Sequence, residues 1–364
     1  MAELKLDSGE FTTDQLGKKY RDFFSPAFEI LVNGSKIADE IAISILKVES
    51  SLEGTADSFF FQITNAFDLE QREFLWLNDV FVLGKAVEIK LGYVDKLTTV
   101  FQGYITSVTA DFSDDTTPNL LVRGMDMSYL MMKGSKSKSW TQKKYSDIAK
   151  EIAGTYGIKT QVDDTTTMYN TVSQNQIDDY HFIQYLADLV HYDFFIVGKT
   201  MYFRKPLTEM TPVVELQWGT SLLSLSIDMN LADQITEVTV RGWDNKKLEV
   251  VEATATTVTK LGSNSKTGKD ILKAQGTYKE HVYTNIDSQD EAKTHAEALL
   301  NKRSMKLING HGECMGIPEI RAGRYIKLSG IGSKLSQPYY IISTLHIVDD
   351  SGYVTRFQVG GNAV

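Results

Sequence analysis

Two distant stretches of the chain run in the same order, and that order limits the possible folds more than any other feature. "GKAVEIKLGYVDKLTTVFQGYITSVTADFSDDTTPNLLVRG" spans residues 84–124 and "GRYIKLSGIGSKLSQPYYIISTLHIVDDSGYVTRFQVGG" spans 323–361. Each reads as glycine, strand, turn, long strand, acidic turn, and a closing strand with a basic residue near glycine. A second pair precedes them. "ISILKVESSLEGTADSFFFQITNAFD" (43–68) matches "LLSLSIDMNLADQITEVTVRGWD" (222–244), each an alternating strand, a loop, Asp57 or Asp233, and a strand ending at Asp68 or Asp244. Similar segments in the same order predict two copies of one β-domain.

The periodicity between the copies differs. Up to residue 126 the apolar residues alternate: Ile41, Ile43 and Ile45 share one face, as do Phe59, Phe61 and Ile63. Only "LEQREFLWL" (69–77) reads as a short helix. "KGSKSKSWTQKK" (133–144) is basic, serine-rich and aperiodic, and reads as a linker. Beyond it the period becomes 3.6. "YSDIAKEIAGTYG" (145–157) stripes Ile148, Ala149, Ile152 and Ala153 and stops at Gly157. In "QIDDYHFIQYLADLVHYDFF" (176–195), Asp178 or Asp179 stands at an N-cap, ahead of Phe182, Ile183, Leu186, Leu189 and Val190 at helical spacing. "YDFFIVG" and "TMYFRKP" then form a hairpin turning at Gly198-Lys199. Strands resume at 213. "SQDEAKTHAEALLNKRSMK" (288–306) is a helix that opens with a capping box of Ser288 and Glu291.

The fold class expected is mainly β with an α+β insert: two similar antiparallel β-barrel domains flanking a small α/β module. The division is an N-terminal arm (1–24), a first β-barrel domain (25–130), the inserted module (131–208) and a second β-barrel domain (209–364) carrying helix 288–306. "LGSNSKTGKD" (261–270) reads as a flexible tip.

Composition narrows the function. The 364 residues carry a net charge of −9, which argues against wrapping around nucleic acid. The single cysteine, Cys314, excludes internal disulfides. No run of about 18 apolar residues is present to span a membrane. "MAELKLDSGEF" lacks an apolar signal core, so Sec export is not expected.

The candidate chemical groups each have a structural reading. His181 beside Asp178 or Asp179 has the residue types of an acid/base pair, but the first turn of a helix is where carboxylates cap and a positive imidazole is disfavoured. His191 at the helix end suits the dipole. His311, Glu313 and Cys314 are metal-ligand types, yet strand alternation puts Cys314 on the side opposite the other two. "RGMD" and "RGWD" lack the lysine and glycines of a phosphate loop. The run from Lys133 to Lys144 reads as a solvated linker rather than a phosphate-backbone contact. Phe59 and Phe61 alternate into the core, which leaves Phe60 as an interface candidate if exposed. No catalytic residues, cofactor site or metal site follow from these residues.

Two segments resemble the phage late control gene D family, the baseplate hubs of contractile tails. "QNQIDDYHFIQYLADLVHYDFFIVGKTMYFRKP" (174–206) is similar to the family's capped helix, aromatic strand and hairpin. "GIPEIRAGRYIKLSGIGSKLSQPYYIISTLHIVDDSGYVTRF" (316–357) is similar to its closing segment. The resemblance covers the chain beyond about residue 25 and extends to the hub part of VgrG-like spikes and of phage-like injection systems. It implies a homotrimer whose paired domains form a pseudo-sixfold ring, a structural adaptor between a hexameric tail tube and a trimeric spike. It offers no catalytic residues. Implied partners are a tail tube protein, a separate spike protein (the chain stops at "VGGNAV"), baseplate wedge proteins, and DNA or protein cargo passing through the lumen, which the net charge of −9 predicts to be acidic. The implied location is a tail or baseplate particle assembled from a protein made in the bacterial cytoplasm. The alternatives are a cell-wall-degrading enzyme, which needs a carboxylate pair in a cleft, and a glycan- or receptor-binding tail protein.

Overall fold

The computed structural model describes residues 6, 9–112, 117–206, 210–244, 247–262, 266–284, 286 and 288–364. The start of the arm, part of the acidic turn after residue 112 and the tip at 263–265 lie outside them. The fold is mainly β, with 48% strand and 18% helix.

The N-terminal arm is partly helical. It holds helix α1 (Thr13–Lys19), closed by a capping box between Thr12 and Gln15. Leu16 and Tyr20 are fully buried, and Phe11 N–H donates to Val213 O at 2.8 Å, so this segment straps the second half of the chain.

The first set of strands comprises β1 (Pro26–Val32), β2 (Ala42–Ser51), β3 (Ser58–Thr64), β4 (Ala86–Tyr93), β5 (Lys96–Asp111) and β6 (Asn119–Met125). They pair in the order β1-β4-β5-β6-β3-β2. Alternation sends Phe59, Phe61 and Ile63 inward. Phe61 is fully buried, with ring centroids 5.6 Å from Phe59 and 5.6 Å from Phe81. The helix expected at 69–77 is absent. Asp68 accepts from Glu70 and Gln71 N–H at 2.8 and 3.0 Å, and Arg72 and Trp76 take left-handed φ of 56° and 63°, which breaks a helix twice. Two-residue strands Phe67–Asp68 and Glu73–Phe74 pair there instead.

The α/β module contains β7 (Lys136–Lys143), α2 (Tyr145–Thr155), β8 (Lys159–Val162), β9 (Tyr169–Ile177), α3 (Asp179–Val190), β10 (Asp193–Val197) and β11 (Thr200–Arg204). The stretch expected as a linker is largely strand: β7 pairs antiparallel with β9. Its lysines and serines are the exposed side of a ribbon whose buried residue, Trp140, stacks on Phe182 at 5.4 Å. The helices and the hairpin stand as expected, with β8 parallel to β11 beside them.

The second set comprises β12 (Pro212–Gln217), β13 (Leu222–Met229), β17 (Ile308–Met315), β18 (Tyr325–Ser329), β19 (Pro338–Asp349) and β20 (Gly352–Gly361). Between β13 and β17 the chain makes β14 (Glu237–Asp244), β15 (Glu249–Ala255), β16 (Lys279–Tyr283) and α4 (Gln289–Ser304). These form a separate three-stranded sheet covered by α4 through Val238, Val240, Ala292, Ala296 and Leu300.

The second set pairs as β12-β18-β19-β20-β17-β13, the order of the first set. The match extends to irregularities. A bulge between Ile105 and Ser107 on β5 has its counterpart between Ile341 and Ser343 on β19, and one between Ile43 and Ile45 on β2 matches one between Leu222 and Ser224 on β13. Gly84 N–H donates to Ile105 O at 2.8 Å and Gly323 N–H to Ile341 O at 3.0 Å, both glycines at positive φ. One difference is that β1 runs antiparallel to β4, whereas β12 runs parallel to β18. The counterpart of β3 is therefore β17, not the segment 233–244 matched from sequence, which belongs to the intervening sheet. The sets do not stay separate: β19 pairs with β2, which fuses them into one thirteen-stranded sheet.

Candidate functional site: the joint between the strand sets

The joint is made by one long strand with two partners. The first residues of β19, Pro338 to Tyr340, pair with β18; Ser343 to Asp349 pair antiparallel with Ser51 to Ile45 of β2. On the core side of the joint Ser50 and Thr344 hydroxyls meet at 2.8 Å, and Ser50 Oγ also accepts from Ala322 N–H at 3.2 Å. His346, opposite Val48, is buried. Its Nε2 lies 3.0 Å from Ile320 O and Nδ1 lies 2.9 and 3.0 Å from the Tyr353 and Thr355 hydroxyls. A carbonyl only accepts, so Nε2 carries the proton and Nδ1 accepts. Burial lowers the imidazole pKa to about 4, which keeps the ring neutral.

The loop after β2 carries the second part of the joint. Asp57, buried, accepts from Ser51 N–H at 3.2 Å and pairs with the guanidinium of Arg321, which also donates to Val100 O at 2.8 Å. Asp126 lies next to it: its N–H donates to Asp57 O at 2.9 Å and its carboxylate accepts from Ser128 N–H at 2.9 Å. Burial raises the pKa of Asp57, with Arg321 opposing; burial and the charge of Asp57 raise that of Asp126. Tyr180 of α3 donates to Thr55 O at 3.1 Å. Thus residues from both strand sets and the α/β module meet around one ion pair.

The sequence candidates fall elsewhere. Asp178 is the N-cap of α3, accepting from His181 N–H at 2.9 Å, and its other oxygen lies 2.7 Å from His181 Nδ1 on the surface. Asp179 is buried and held by Lys136, Tyr156 and Gln174 at 2.6, 2.7 and 2.9 Å. Burial pushes its pKa up, and those hydrogen bonds more than offset this, leaving it below the ordinary value. The two carboxylates occupy different environments and do not converge. His191 ends α3 at left-handed φ 55°, but burial lowers its pKa to about 4, so the neutral ring makes no use of the helix dipole. His311 is exposed, Glu313 pairs with Arg356 at 2.7 Å, and Cys314 is fully buried on the other side of β17, as alternation requires. Among the described residues no three His, Cys, Asp or Glu side chains are grouped to hold a metal. Lys138 pairs with Glu151 at 2.8 Å. Phe60 is half-buried, beneath Arg123 at 5.0 Å and Lys47 at 6.0 Å.

On the outer face of the joint Glu49, Ser224, His311, Glu313, Arg356 and Gln358 line a shallow cavity of about 400 Å³. The face carries both signs of charge and is a polar floor rather than a catalytic cleft.

This doubled sheet with an inserted α/β module is the fold of tail proteins from phage-like particles. The chain is similar to the 43 kDa tail protein of prophage MuSo2 from Shewanella oneidensis, with TM-score 0.70 and 15% identity over 92% of this chain and 98% of that one. It is similar to the tail protein from Neisseria meningitidis MC58, with TM-score 0.68 and 12% identity over 93% and 97%. It is also similar to the E. coli c3393 protein, described as a component of the type VI secretion system with structural similarity to the T4 bacteriophage tail proteins gp27 and gp5, with TM-score 0.59 and 11% identity over 91% and 76%. At these identities the likeness is one of fold. The family model of the Alg8 N-terminal domain matches residues 25–350, and the chain belongs to that family. The family's name says nothing of tails, so the structural neighbours supply the link to them. No curated protein matches the chain in sequence.

Proposed function

We propose that the chain is a structural baseplate hub of a contractile tail or phage-like injection system, a homotrimer joining a hexameric tube to a trimeric spike. The observation that carries this reading is the doubled strand order with both bulges in register, in a fold shared with tail proteins. Two near-equal domains per chain let three chains present six similar faces, a requirement of geometry rather than of reactive side chains. In this reading the domains are the arm 1–24, hub domains 25–130 and 209–364, and the module 131–208. The second hub domain is enlarged by β14 to α4. The partners are a tube protein, a spike protein and wedge proteins.

A lumen lined by the polar face of the sheet would carry Lys47, Arg123 and Arg356 as well as Glu49, Asp228 and Glu313. Such a lumen is mixed in sign, not the acidic surface expected from net charge. Negative-stain electron microscopy of the purified chain tests the reading: three-lobed rings with a central channel are expected. Assemblies of any other symmetry would overturn it.

A further inference from the structure

The long strand of each set has a distal half, and only one of the two is covered. In β19 that half pairs with β2. In β5 the corresponding residues, Ser107 to Asp111, pair with β6 on one side; among the described residues no strand lies along the other. The strand that corresponds to β2 is β13, and its edge opposite β17 is likewise unpaired from Leu223 to Met229. The chain therefore displays the two halves of a joint that it makes internally once.

From this we infer that β5 of one copy pairs antiparallel with β13 of a second copy of this chain, in the register of the internal joint. The bulges set that register. Ile341 and Ser343 correspond to Ile105 and Ser107, while Ile43 and Ile45 correspond to Leu222 and Ser224. The internal pairs Ser343–Ser51, Leu345–Glu49 and Ile347–Lys47 thus become Ser107–Asn230, Thr109–Asp228 and Asp111–Ser226. The core-facing pairs Thr344–Ser50, His346–Val48 and Val348–Leu46 become Val108–Met229, Ala110–Ile227 and Phe112–Leu225.

The side chains fit this occupant. Every residue on the core-facing side of the proposed pair is apolar, on both strands. The internal counterparts are all at most 8% exposed, whereas Phe112 is 65% and Met229 54% exposed. A long, apolar, unpaired strand edge is a surface that folded proteins cover. Main-chain hydrogen bonds would supply the affinity and the alternating side chains the register. The contact is heterologous, so it builds a closed ring or an open fibre. That it closes at three copies rests on the hub reading; the edge itself does not.

The test is a double-cysteine variant, Thr109→Cys with Asp228→Cys, oxidised and run on a non-reducing gel. The native Cys314 is fully buried and does not compete. Leu345→Cys with Glu49→Cys is the control for the same geometry within one chain. Thr109→Cys with Ser224→Cys is the out-of-register control. Multi-chain bands ending at a closed trimer are expected, at least tenfold above the out-of-register pair. In the native cysteine background, Ala110→Lys, at an exposed position, is expected to abolish assembly while leaving the far-ultraviolet circular dichroism spectrum of the chain unchanged. Three-lobed rings without the cross-link would overturn the edge and leave the hub reading intact. Cross-linked ladders that never close would uphold the edge and overturn the trimeric hub. A chain that neither assembles nor cross-links at its highest soluble concentration would overturn the edge.

Discussion

Arg321→Ala removes the cation from the ion pair that ties the strand sets together, and its cost depends on pH in a calculable way. Arg321 and Asp57 side chains are 13% and 7% exposed, so Asp57 would be left in the interior with only the Ser51 N–H as partner. Breaking a buried pair from one side costs about 3–5 kcal/mol. Asp57 can avoid much of that cost by taking up a proton. Neutralising it costs about 1.4 kcal/mol for each pH unit above its unfolded pKa of about 4, hence about 1.4 kcal/mol at pH 5 and roughly 5 at pH 8. The folded-state pKa of Asp57 is already raised in the native protein and rises further in the variant. Stability from that group is complete below the unfolded value and is lost as pH rises through the folded one. The variant's deficit should therefore grow by about 2–3 kcal/mol between pH 5 and pH 8. Hydrogen exchange of peptides from β2 and β19, referenced to an unstructured peptide, reads it as faster local opening at pH 8. Asp57→Asn combined with Arg321→Met, which leaves no charge behind, should recover most of the loss. An equal penalty at both pH values would refute the reasoning.

Other outcomes follow from single contacts. His346 is neutral in the fold, with a pKa of about 4 against about 6.5 unfolded. It contributes stability above pH 6.5 that is lost as pH falls toward 4, about 3 kcal/mol in all; His346→Gln should flatten that part of the urea-midpoint profile. Phe61→Ala should cost about 3–5 kcal/mol by leaving a cavity among Phe59, Phe81 and Ile63, measured by chemical denaturation. At Gly124 a Cβ would sit 2.1 Å from Tyr104 O and 2.2 Å from the Phe59 ring. Gly124→Ala should therefore destabilise by about 1–3 kcal/mol, because a backbone atom cannot swing away. Asp178→Ala should cost about 1 kcal/mol through the lost cap of α3 and leave assembly unchanged, checked by thermal melt and sedimentation.

These contacts differ in how much of them is written locally. The strands of the two sets and the cap of α3 are visible because alternation and capping act over a few residues. "YITS" at 104–107 and "YIIS" at 340–343 even mark the matching bulges. The intervening sheet is not visible, since β14 carries the same alternation as a strand of the main sheet and only its pairing shows otherwise. Strand β7 is hidden because all three of its Ser/Thr and two of its three Lys are exposed and Trp140 alone marks the buried side. The joint is the least legible part. Asp57 and Arg321, or Ser50 and Thr344, are brought together by the whole fold, and no spacing announces them. The same logic explains the contrast between the two joints. Within one chain β2 and β19 are held at high effective concentration, so the joint can use hydroxyls and a neutral histidine that specify register at little net gain. Between copies the ordering cost of association must be met anew, and there both strands carry apolar side chains. Exchanging the two chemistries, with Val108→Thr and Met229→Ser, should therefore weaken assembly while sparing the fold of each chain. Sedimentation at several concentrations would show the shift, and unchanged association would mean that the apolar face is not what drives it.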